Sequence, residues 1–310
     1  MNNPPLGNLC TAMITPFDNN RELDLVRAQE LTQRLIDGGT DSIVVCGTTG
    51  ESPTIFYPQK LDLFNAVLDA NDGQIPIFAN VGDNCTADSV SFAREVAQLG
   101  VDGIMLVVPY YNKPPQEGLY RHFRTIAEAV DVPVLLYNIP GRCVINMEAE
   151  TTLRLAHDVE NIVAVKEASG KLDQIERICK ESPDDFYVYS GDDEKTLPIM
   201  EIGGVGVIST ISNVAPARMK EIVAAQVEGD HTRAMAAFLK LQPLMHQLFT
   251  TSNPILVKEA LKIAGFPVGG VRLPLIDATD EQSEELERVM RQVGVIVRAP
   301  SAAQRSSRAL

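Results

Sequence analysis

The most constraining feature of the sequence is a regular alternation between short apolar segments and longer segments with helical periodicity. Each apolar segment is followed by a polar or glycine-rich break and then by an amphipathic stretch. Nearly continuous apolar runs are typical of parallel strands that are buried on both faces. The pattern predicts strands at 9–17, 42–47, 75–81, 103–109, 133–139, 162–168, 186–192 and 204–210, and helices after them at 23–37, 58–70, 87–99, 117–130, 148–157, 172–180, 194–202 and 217–227.

Eight strand–helix units are the number found in a (β/α)8 TIM barrel. The alternative α/β architecture, an open doubly wound sheet, usually has a G-x-G-x-x-G loop after its first strand, and this sequence has none. We therefore predict an α/β protein in which residues 1–228 form a catalytic barrel. Helical stretches at 230–248, 253–264 and 281–293 predict a three-helix C-terminal extension over 229–296, and residues 297–310 are expected to form a disordered tail.

Composition and charge exclude several classes of function. With 41 acidic and 27 basic side chains the net charge is −14, so we expect no nucleic-acid partner. No apolar run approaches the ~18 residues of a membrane span, and the N terminus lacks an export signal, so a cytoplasmic protein without membrane contact is expected. Five scattered cysteines indicate reduced thiols, and four histidines without ligand spacing indicate no metal site.

Lys166 is the residue that most strongly indicates chemistry. It follows the apolar run 162–165, which places it at the carboxyl end of the sixth strand, where TIM barrels carry their reactive residues. Burial lowers the pKa of a lysine from its usual value of about 10.4, and the resulting free amine can form a Schiff base. The structural alternative is a lysine that reaches out from the strand end and pairs with a carboxylate such as Glu167.

The other predicted strand ends carry hydroxyl groups and no histidine. The hydroxyl groups belong to Thr48, Thr49, Tyr110, Tyr111 and Tyr137. Such groups can pass protons between them, although each could instead satisfy a backbone group. Arg142 follows at the rim and is suited either to binding a carboxylate or to a surface ion pair. Together with the absence of a cofactor motif, these residues favour a Schiff-base lyase or aldolase that acts on small keto acids.

Six segments in order resemble a known family. They are Gly-Thr-Thr-Gly-Glu at 47–51, Tyr-Tyr-Asn-Lys-Pro at 110–114, Tyr-Asn-Ile-Pro at 137–140, Lys-Glu-Ala-Ser-Gly at 166–170, Ser-Gly-Asp-Asp at 190–193 and Asn-Pro-Ile-Leu-Val-Lys at 253–258. They resemble the pyruvate-dependent class I aldolases of the N-acetylneuraminate lyase superfamily, and most closely the dihydrodipicolinate synthase family. The resemblance extends from about residue 7 to 273–275 and so covers nearly the whole chain.

The resemblance implies a role for each residue at the site. Lys166 would form a Schiff base with pyruvate, with no other cofactor, and Tyr137 would be the general acid and base beside it. Thr48 and Tyr111 would complete a hydroxyl relay, with Tyr111 reaching into a neighbouring subunit of a homotetramer built as a dimer of dimers. The residues implied to hold or border the pyruvate carboxylate are Thr49, Gly191 and Ile208.

Arg142 bears on the second substrate. By the resemblance it would bind the carboxylate of L-aspartate 4-semialdehyde, and the product would be 4-hydroxy-tetrahydrodipicolinate, for diaminopimelate and lysine biosynthesis. Relatives that act on neutral sugar-like aldehydes tend to have a small or apolar residue at this position. Gly141 and Cys143-Val144 depart from the residues most common in the family. The alternative is another pyruvate-dependent aldolase, of the 2-keto-3-deoxy sugar acid or N-acetylneuraminate type.

A regulatory cleft is also implied by the resemblance. Feedback-inhibited members bind lysine near the positions that are here Ser52, Asn84, Asp88 and Tyr110. Tyr57 and Lys60 stand where such enzymes often have histidine. Because an ammonium group on Lys60 would repel a lysine ligand, weak or absent inhibition by lysine is expected.

Overall fold

The computed structural model describes residues 4–296 of the chain, and its strands close into a parallel barrel. The strands are β1 (Leu9–Ala12), β2 (Ser42–Val45), β3 (Ile77–Asn80), β4 (Gly103–Val107), β5 (Val134–Asn138), β6 (Ile162–Glu167), β7 (Tyr187–Ser190) and β8 (Gly206–Ser209). Each strand pairs in parallel with the next, and β8 returns to pair with β1. The predicted (β/α)8 barrel is therefore confirmed.

Helices surround the barrel and continue beyond it. They are α1 (Leu25–Asp37), α2 (Tyr57–Asn71), α3 (Thr86–Ala97), α4 (Gln116–Ala127), α5 (Pro140–Cys143), α6 (Ala149–Asp158), α7 (Leu172–Glu181), α8 (Thr196–Glu201), α9 (Pro216–Val227), α10 (His231–Leu248), α11 (Ile255–Ile263) and α12 (Asp280–Gln292). The last three form the predicted C-terminal extension. Within residues 4–296 no helix combines the length and apolarity that a membrane crossing requires. The tail predicted at 297–310 lies outside the described residues.

The strands are shorter than the apolar runs that predicted them. The first run was expected to be a strand as far as residue 17, but β1 ends at Ala12. Met13, Ile14 and Phe17 are nevertheless buried. The Phe17 N–H donates to the carbonyl of Val268, in the C-terminal extension, at 3.0 Å. An apolar run reports burial, and here part of the burial comes from packing against the extension and not from the strand ladder.

Side chains fill the barrel interior and close its amino-terminal end. The inner cluster consists of Leu6, Cys10, Ala12, Val44, Phe78, Met105, Leu135, Tyr137, Ala164, Tyr189 and Ile208. Leu6 precedes β1, and its N–H donates to the Tyr189 hydroxyl at 3.3 Å. That hydroxyl in turn donates to the carbonyl of Gly7 at 3.0 Å. The barrel is therefore a packed core, and its open end is at the carboxyl ends of the strands.

His122, a buried histidine of α4 that faces the start of α3, makes the fold sensitive to acid. His122 Nδ1 lies 2.9 Å from Thr86 Oγ1, while Nε2 has no partner among the described residues. Burial lowers the pKa of His122 from 6.5 to about 4. Between these two pH values the unfolded chain binds a proton that the folded chain does not. The free energy of unfolding therefore decreases as the pH falls, and the contribution of His122 to this decrease is about 3 kcal/mol at pH ~4.

We therefore expect His122→Gln to reduce the acid sensitivity of folding. Between about pH 7 and pH 4, the variant should lose roughly 2–3 kcal/mol less unfolding free energy than the wild type. Denaturant unfolding at the two pH values measures this difference. His157→Gln, which changes an exposed histidine, is the control. If the His122 and His157 variants lose equal amounts, burial of His122 is not the cause.

Candidate active site

Lys166 and Tyr137 lie side by side inside the barrel. They are paired in register on β6 and β5, and their residues are 5% and 3% exposed. The Nζ atom of Lys166 is 4.4 Å from the centre of the Tyr137 ring. No carboxylate within residues 4–296 forms an ion pair with Lys166, whereas the surface lysines of α7 and α11 do have such partners. The lysine predicted from the end of the sixth strand is thus an internal amine beside a phenol.

Glu167 is not the partner of Lys166. Successive residues of a strand point to opposite faces of the sheet, and the Glu167 carboxylate is buried outside the barrel interior. It accepts hydrogen bonds from Asn138 Nδ2 at 2.7 Å, Ser169 Oγ at 2.5 Å and Gln174 Nε2 at 3.1 Å. Burial raises the pKa of this carboxyl group, and its hydrogen bonds oppose that shift. The alternative interpretation of Lys166 as an ion-paired strand-end lysine is therefore wrong.

Gly191 provides space beside the lysine stem. A Cβ atom at this position would lie 3.1 Å from Lys166 Cγ and 2.8 Å from the Ala168 Cβ. Both distances are shorter than ordinary van der Waals contacts, so only glycine fits without a shift. The Gly191 N–H donates to the carbonyl of Glu167 at 2.7 Å, which fixes the end of β7 against β6. Ile208, on β8, is buried in the inner cluster.

The turn after β2 presents polar groups at the same end of the barrel. We call residues 47–51 the β2 turn. The N–H groups of Gly50 and Glu51 donate to the carbonyls of Gly47 and Thr48. The N–H groups of Thr48 and its neighbour Thr49 donate to no acceptor in residues 4–296. Successive free N–H groups in a turn can bind a small anion such as a carboxylate.

A cavity of about 710 Å³ opens at the carboxyl end of the strands. Its lining includes Thr48, Tyr137 and Arg142. Arg142 is exposed on α5, and within the described residues its guanidinium group has no ion-pair or hydrogen-bond partner. An unpaired guanidinium group at the rim of a cavity is available to bind a carboxylate with two parallel hydrogen bonds.

The short helix α5 carries Arg142, and a buried polar cluster holds the segment around it. Asn138 Nδ2 donates to Glu167 Oε1 at 2.7 Å and to Asn146 Oδ1 at 2.9 Å, and Asn138 Oδ1 accepts from the Met147 N–H at 3.0 Å. Both the helix and this cluster were absent from the sequence predictions. The only sequence signal was the proline at position 140, which is favoured in the first turn of a helix.

Tyr111 is exposed and does not line the cavity that Tyr137 lines. Its side chain is 88% exposed, and its φ of +73° lies in the left-handed region. Asn112 makes two of the hydrogen bonds that hold this segment: its N–H donates to the Tyr110 carbonyl at 2.9 Å, and its Nδ2 donates to the Asn84 carbonyl at 2.8 Å. Backbone strain of this kind is concentrated at functional positions, and the contribution of Tyr111 to a neighbouring subunit stays a prediction.

Some of the residues implied for a regulatory cleft line one cavity, and others do not. Ser52, Tyr57, Lys60 and Tyr110 line the cavity described above. Lys60 is buried, with Nζ 5.4 Å from the centre of the Tyr57 ring, and burial lowers the pKa of its ammonium group. Burial, together with nearby Asp83, raises the pKa of Tyr110 to about 12. Asn84 Nδ2 donates to the Tyr110 carbonyl at 3.2 Å, whereas Asp88 is exposed in the first turn of α3 and does not line the cavity.

The thiols and acidic groups of residues 4–296 form no metal-binding centre. All five cysteines are unpaired. Within the part of the chain that the structure describes, no three histidine, cysteine or acidic side chains are grouped so as to hold a metal ion.

Comparison with known proteins identifies the family. The family model described as the dihydrodipicolinate synthetase family matches residues 5–293. The chain belongs to this family. A 4-hydroxy-tetrahydrodipicolinate synthase of Symbiobacterium thermophilum is 50% identical over 293 residues, which cover 94% of this chain and 100% of that protein. The family resemblance and the prediction of an enzyme are thus confirmed.

Solved structures of the dihydrodipicolinate synthetase family share the fold. A structure from Cyanidioschyzon merolae with lysine bound is 41% identical, with a TM-score of 0.93, and the match covers 94% of this chain and 100% of that one. A structure described as the first monomeric variant of dihydrodipicolinate synthase is 40% identical, with a TM-score of 0.91 and coverage of 93% and 97%. The roles of individual site residues in this chain stay predictions.

Proposed function

We propose that this chain condenses pyruvate with L-aspartate 4-semialdehyde to give 4-hydroxy-tetrahydrodipicolinate, in the biosynthesis of diaminopimelate and lysine. The observation that carries the proposal is the buried amine of Lys166, unpaired with any described carboxylate and 4.4 Å from the Tyr137 ring centre. Membership of the dihydrodipicolinate synthetase family supports the same reaction.

The first step is formation of a Schiff base with pyruvate. The amine of Lys166 attacks the keto carbon, and the keto oxygen leaves as water after it has accepted protons. Tyr137 supplies and removes these protons, and Thr48, which lines the same cavity, takes part in the proton relay. The pyruvate carboxylate binds the free N–H groups of Thr48 and Thr49 in the β2 turn, beside Gly191. No other cofactor takes part in this step.

The second step forms a carbon–carbon bond. The iminium group withdraws electrons, so the pyruvate methyl group loses a proton and an enamine forms. The enamine carbon attacks the aldehyde of the second substrate while Arg142 binds its carboxylate. Tyr137 donates the proton that the aldehyde oxygen requires. The amino group of the substrate then attacks the imine carbon, which closes the ring and releases Lys166 as the free amine.

A neighbouring subunit completes the relay in this proposal. The exposure and the constrained backbone of Tyr111 support the proposal that its side chain contributes to the active site of a second subunit. Met235 and Leu239, four residues apart on α10, are 42% and 56% exposed and offer an apolar surface for further assembly. We propose a cytoplasmic homotetramer, a dimer of dimers. The monomeric variant among the structural relatives makes sedimentation of this protein the direct test.

Arg142→Ala is expected to reduce kcat/KM for L-aspartate 4-semialdehyde by about 10²-fold, because the carboxylate then lacks its charged partner. The half-saturating pyruvate concentration should remain near its wild-type value. Initial rates with the semialdehyde are compared with rates for N-acetylmannosamine and glyceraldehyde, each with pyruvate. A preference for a sugar aldehyde that the substitution does not alter would instead assign the chain to the alternative aldolases.

Lysine is expected to inhibit the wild-type enzyme weakly or not at all at about 1 mM, because the buried Lys60 ammonium repels a second ammonium group. A steady-state titration with L-lysine measures this. Lys60→Gln, which removes the charge, should bind lysine more tightly than the wild type. Full inhibition of the wild type below 1 mM would contradict the expectation.

A further inference from the structure

The β2 turn is held by side chains that come from outside it. Asn253 Nδ2 donates to the Thr49 hydroxyl oxygen at 2.9 Å. The hydroxyl of Thr15 donates to the Gly50 carbonyl at 2.7 Å. The next residue, Glu51, is bound by the C-terminal extension as well, so three consecutive positions of the turn are fixed by distant parts of the chain.

Glu51 carries a buried charge whose partner comes from α11. Lys258 Nζ lies 2.6 Å from Glu51 Oε1, and the two side chains are 2% and 1% exposed. The Arg272 N–H donates to Glu51 Oε2 at 2.9 Å, and Lys258 Nζ donates to the Gly270 carbonyl at 2.8 Å. Burial of an unpaired charge is strongly unfavourable. Each member of this pair therefore requires the other in its place.

The backbone of Glu51 has an unfavourable conformation for a residue with a side chain. Its φ is +55°, in the left-handed region, which is unfavourable for a residue with a side chain as large as glutamate. Glycine would adopt this conformation freely. Because the Glu51 carboxylate is bound by Lys258, the position of the turn is coupled to the position of α11.

We propose that Asn253 and Lys258 are positioning residues that aim the β2 turn at the pyruvate carboxylate. Asn253 acts through the Thr49 side chain, and Lys258 acts through Glu51. Neither touches the substrate. The inference rests on the proposed function, because it assigns the Thr48 and Thr49 N–H groups to that carboxylate. Small displacements of a binding group can have large kinetic effects. Loss of the Asn253 or Lys258 contact should therefore weaken the binding of pyruvate by the turn.

Trapping with borohydride tests the proposal without the second substrate. Borohydride donates hydride to the imine carbon of the Schiff base, and the former pyruvate then stays on Lys166 as a 1-carboxyethyl group bound through a secondary amine, which intact mass measures. In Asn253→Ala and Lys258→Met, the pyruvate concentration for half-maximal labelling should rise by about tenfold or more. Lys262→Met, which removes an exposed lysine of the same helix whose ion-pair partner among residues 4–296 is Glu259, should label as the wild type does.

A double variant separates positioning from folding. Lys258→Met leaves the Glu51 carboxylate buried without a partner, whereas Glu51→Gln combined with Lys258→Met removes both charges. The double variant should recover the thermal unfolding temperature but keep the raised half-saturating pyruvate concentration. Recovery of both, or wild-type labelling in all variants, overturns the positioning role and leaves the proposed function standing. A wild-type protein that pyruvate and borohydride do not label overturns the proposed function, and the inference with it.

Discussion

Replacing Lys166 with methionine is expected to lower kcat for the condensation by about 10⁴-fold or more, because the substitution removes the nucleophile on which every later step depends. The lysine stem is buried in the barrel beside Gly191, and methionine keeps most of its volume, so the fold should persist. Initial rates and borohydride labelling with pyruvate measure the two consequences together.

Lys171 provides the control for this substitution. Lys171 follows β6 by four residues and is exposed, so Lys171→Met changes a lysine of the same segment without altering the interior. It should retain wild-type rates and labelling. If Lys166→Met were still modified by pyruvate and borohydride, a different amine would be the nucleophile and the proposed mechanism would be wrong.

Tyr137→Phe is expected to reduce kcat by about 10²- to 10⁴-fold, the range for loss of a general acid and base. The half-saturating pyruvate concentration should change little, because the ring still packs 4.4 Å from Lys166 Nζ and only the hydroxyl is lost. Rates as a function of each substrate separate the two effects. The expectation fails if the variant turns over at the wild-type rate.

Tyr189 provides a matched control for the loss of a phenol. It stands in register with Lys166 on the other side, on β7, and is also buried in the inner cluster. Its hydroxyl, however, is bonded to Leu6 and Gly7 at the closed end of the barrel. Tyr189→Phe should therefore lower stability while it leaves catalysis intact, which distinguishes proton transfer from packing inside the barrel.

Sequence patterns predicted the features that depend on local order. Eight apolar runs gave the eight strands, and the position of Lys166 at the end of one run gave the buried amine, because strand ends meet at one edge of a parallel barrel. The patterns did not predict the polar cluster around Asn138 and Glu167. Hydrogen bonds within such a cluster depend on the side-chain placement that tertiary packing sets, and periodicity does not report it.

The contacts of the β2 turn could not be predicted from the sequence for a related reason. Asn253 and Thr49 are 204 positions apart, and nothing in either local segment indicates the other. The Asn-Pro-Ile-Leu-Val-Lys segment served only as a marker of resemblance. In the structure its residues Asn253 and Lys258 contact the β2 turn. Strand lengths were overestimated because burial against the extension looks the same in sequence as burial in the sheet.

The closed amino-terminal end of the barrel has a consequence for the order of events. Leu6 and Tyr189 block passage on that side, so in the proposed reaction both reactants enter and the product leaves at the carboxyl ends of the strands. Lys166 lies in the interior, whereas Arg142 lies on the rim. An aldehyde held at the rim would obstruct the path of pyruvate to the lysine. If Lys166 and Arg142 have the roles proposed above, we therefore expect a compulsory sequence of addition, with pyruvate first and the aldehyde second, and a vacated site before the next turnover begins.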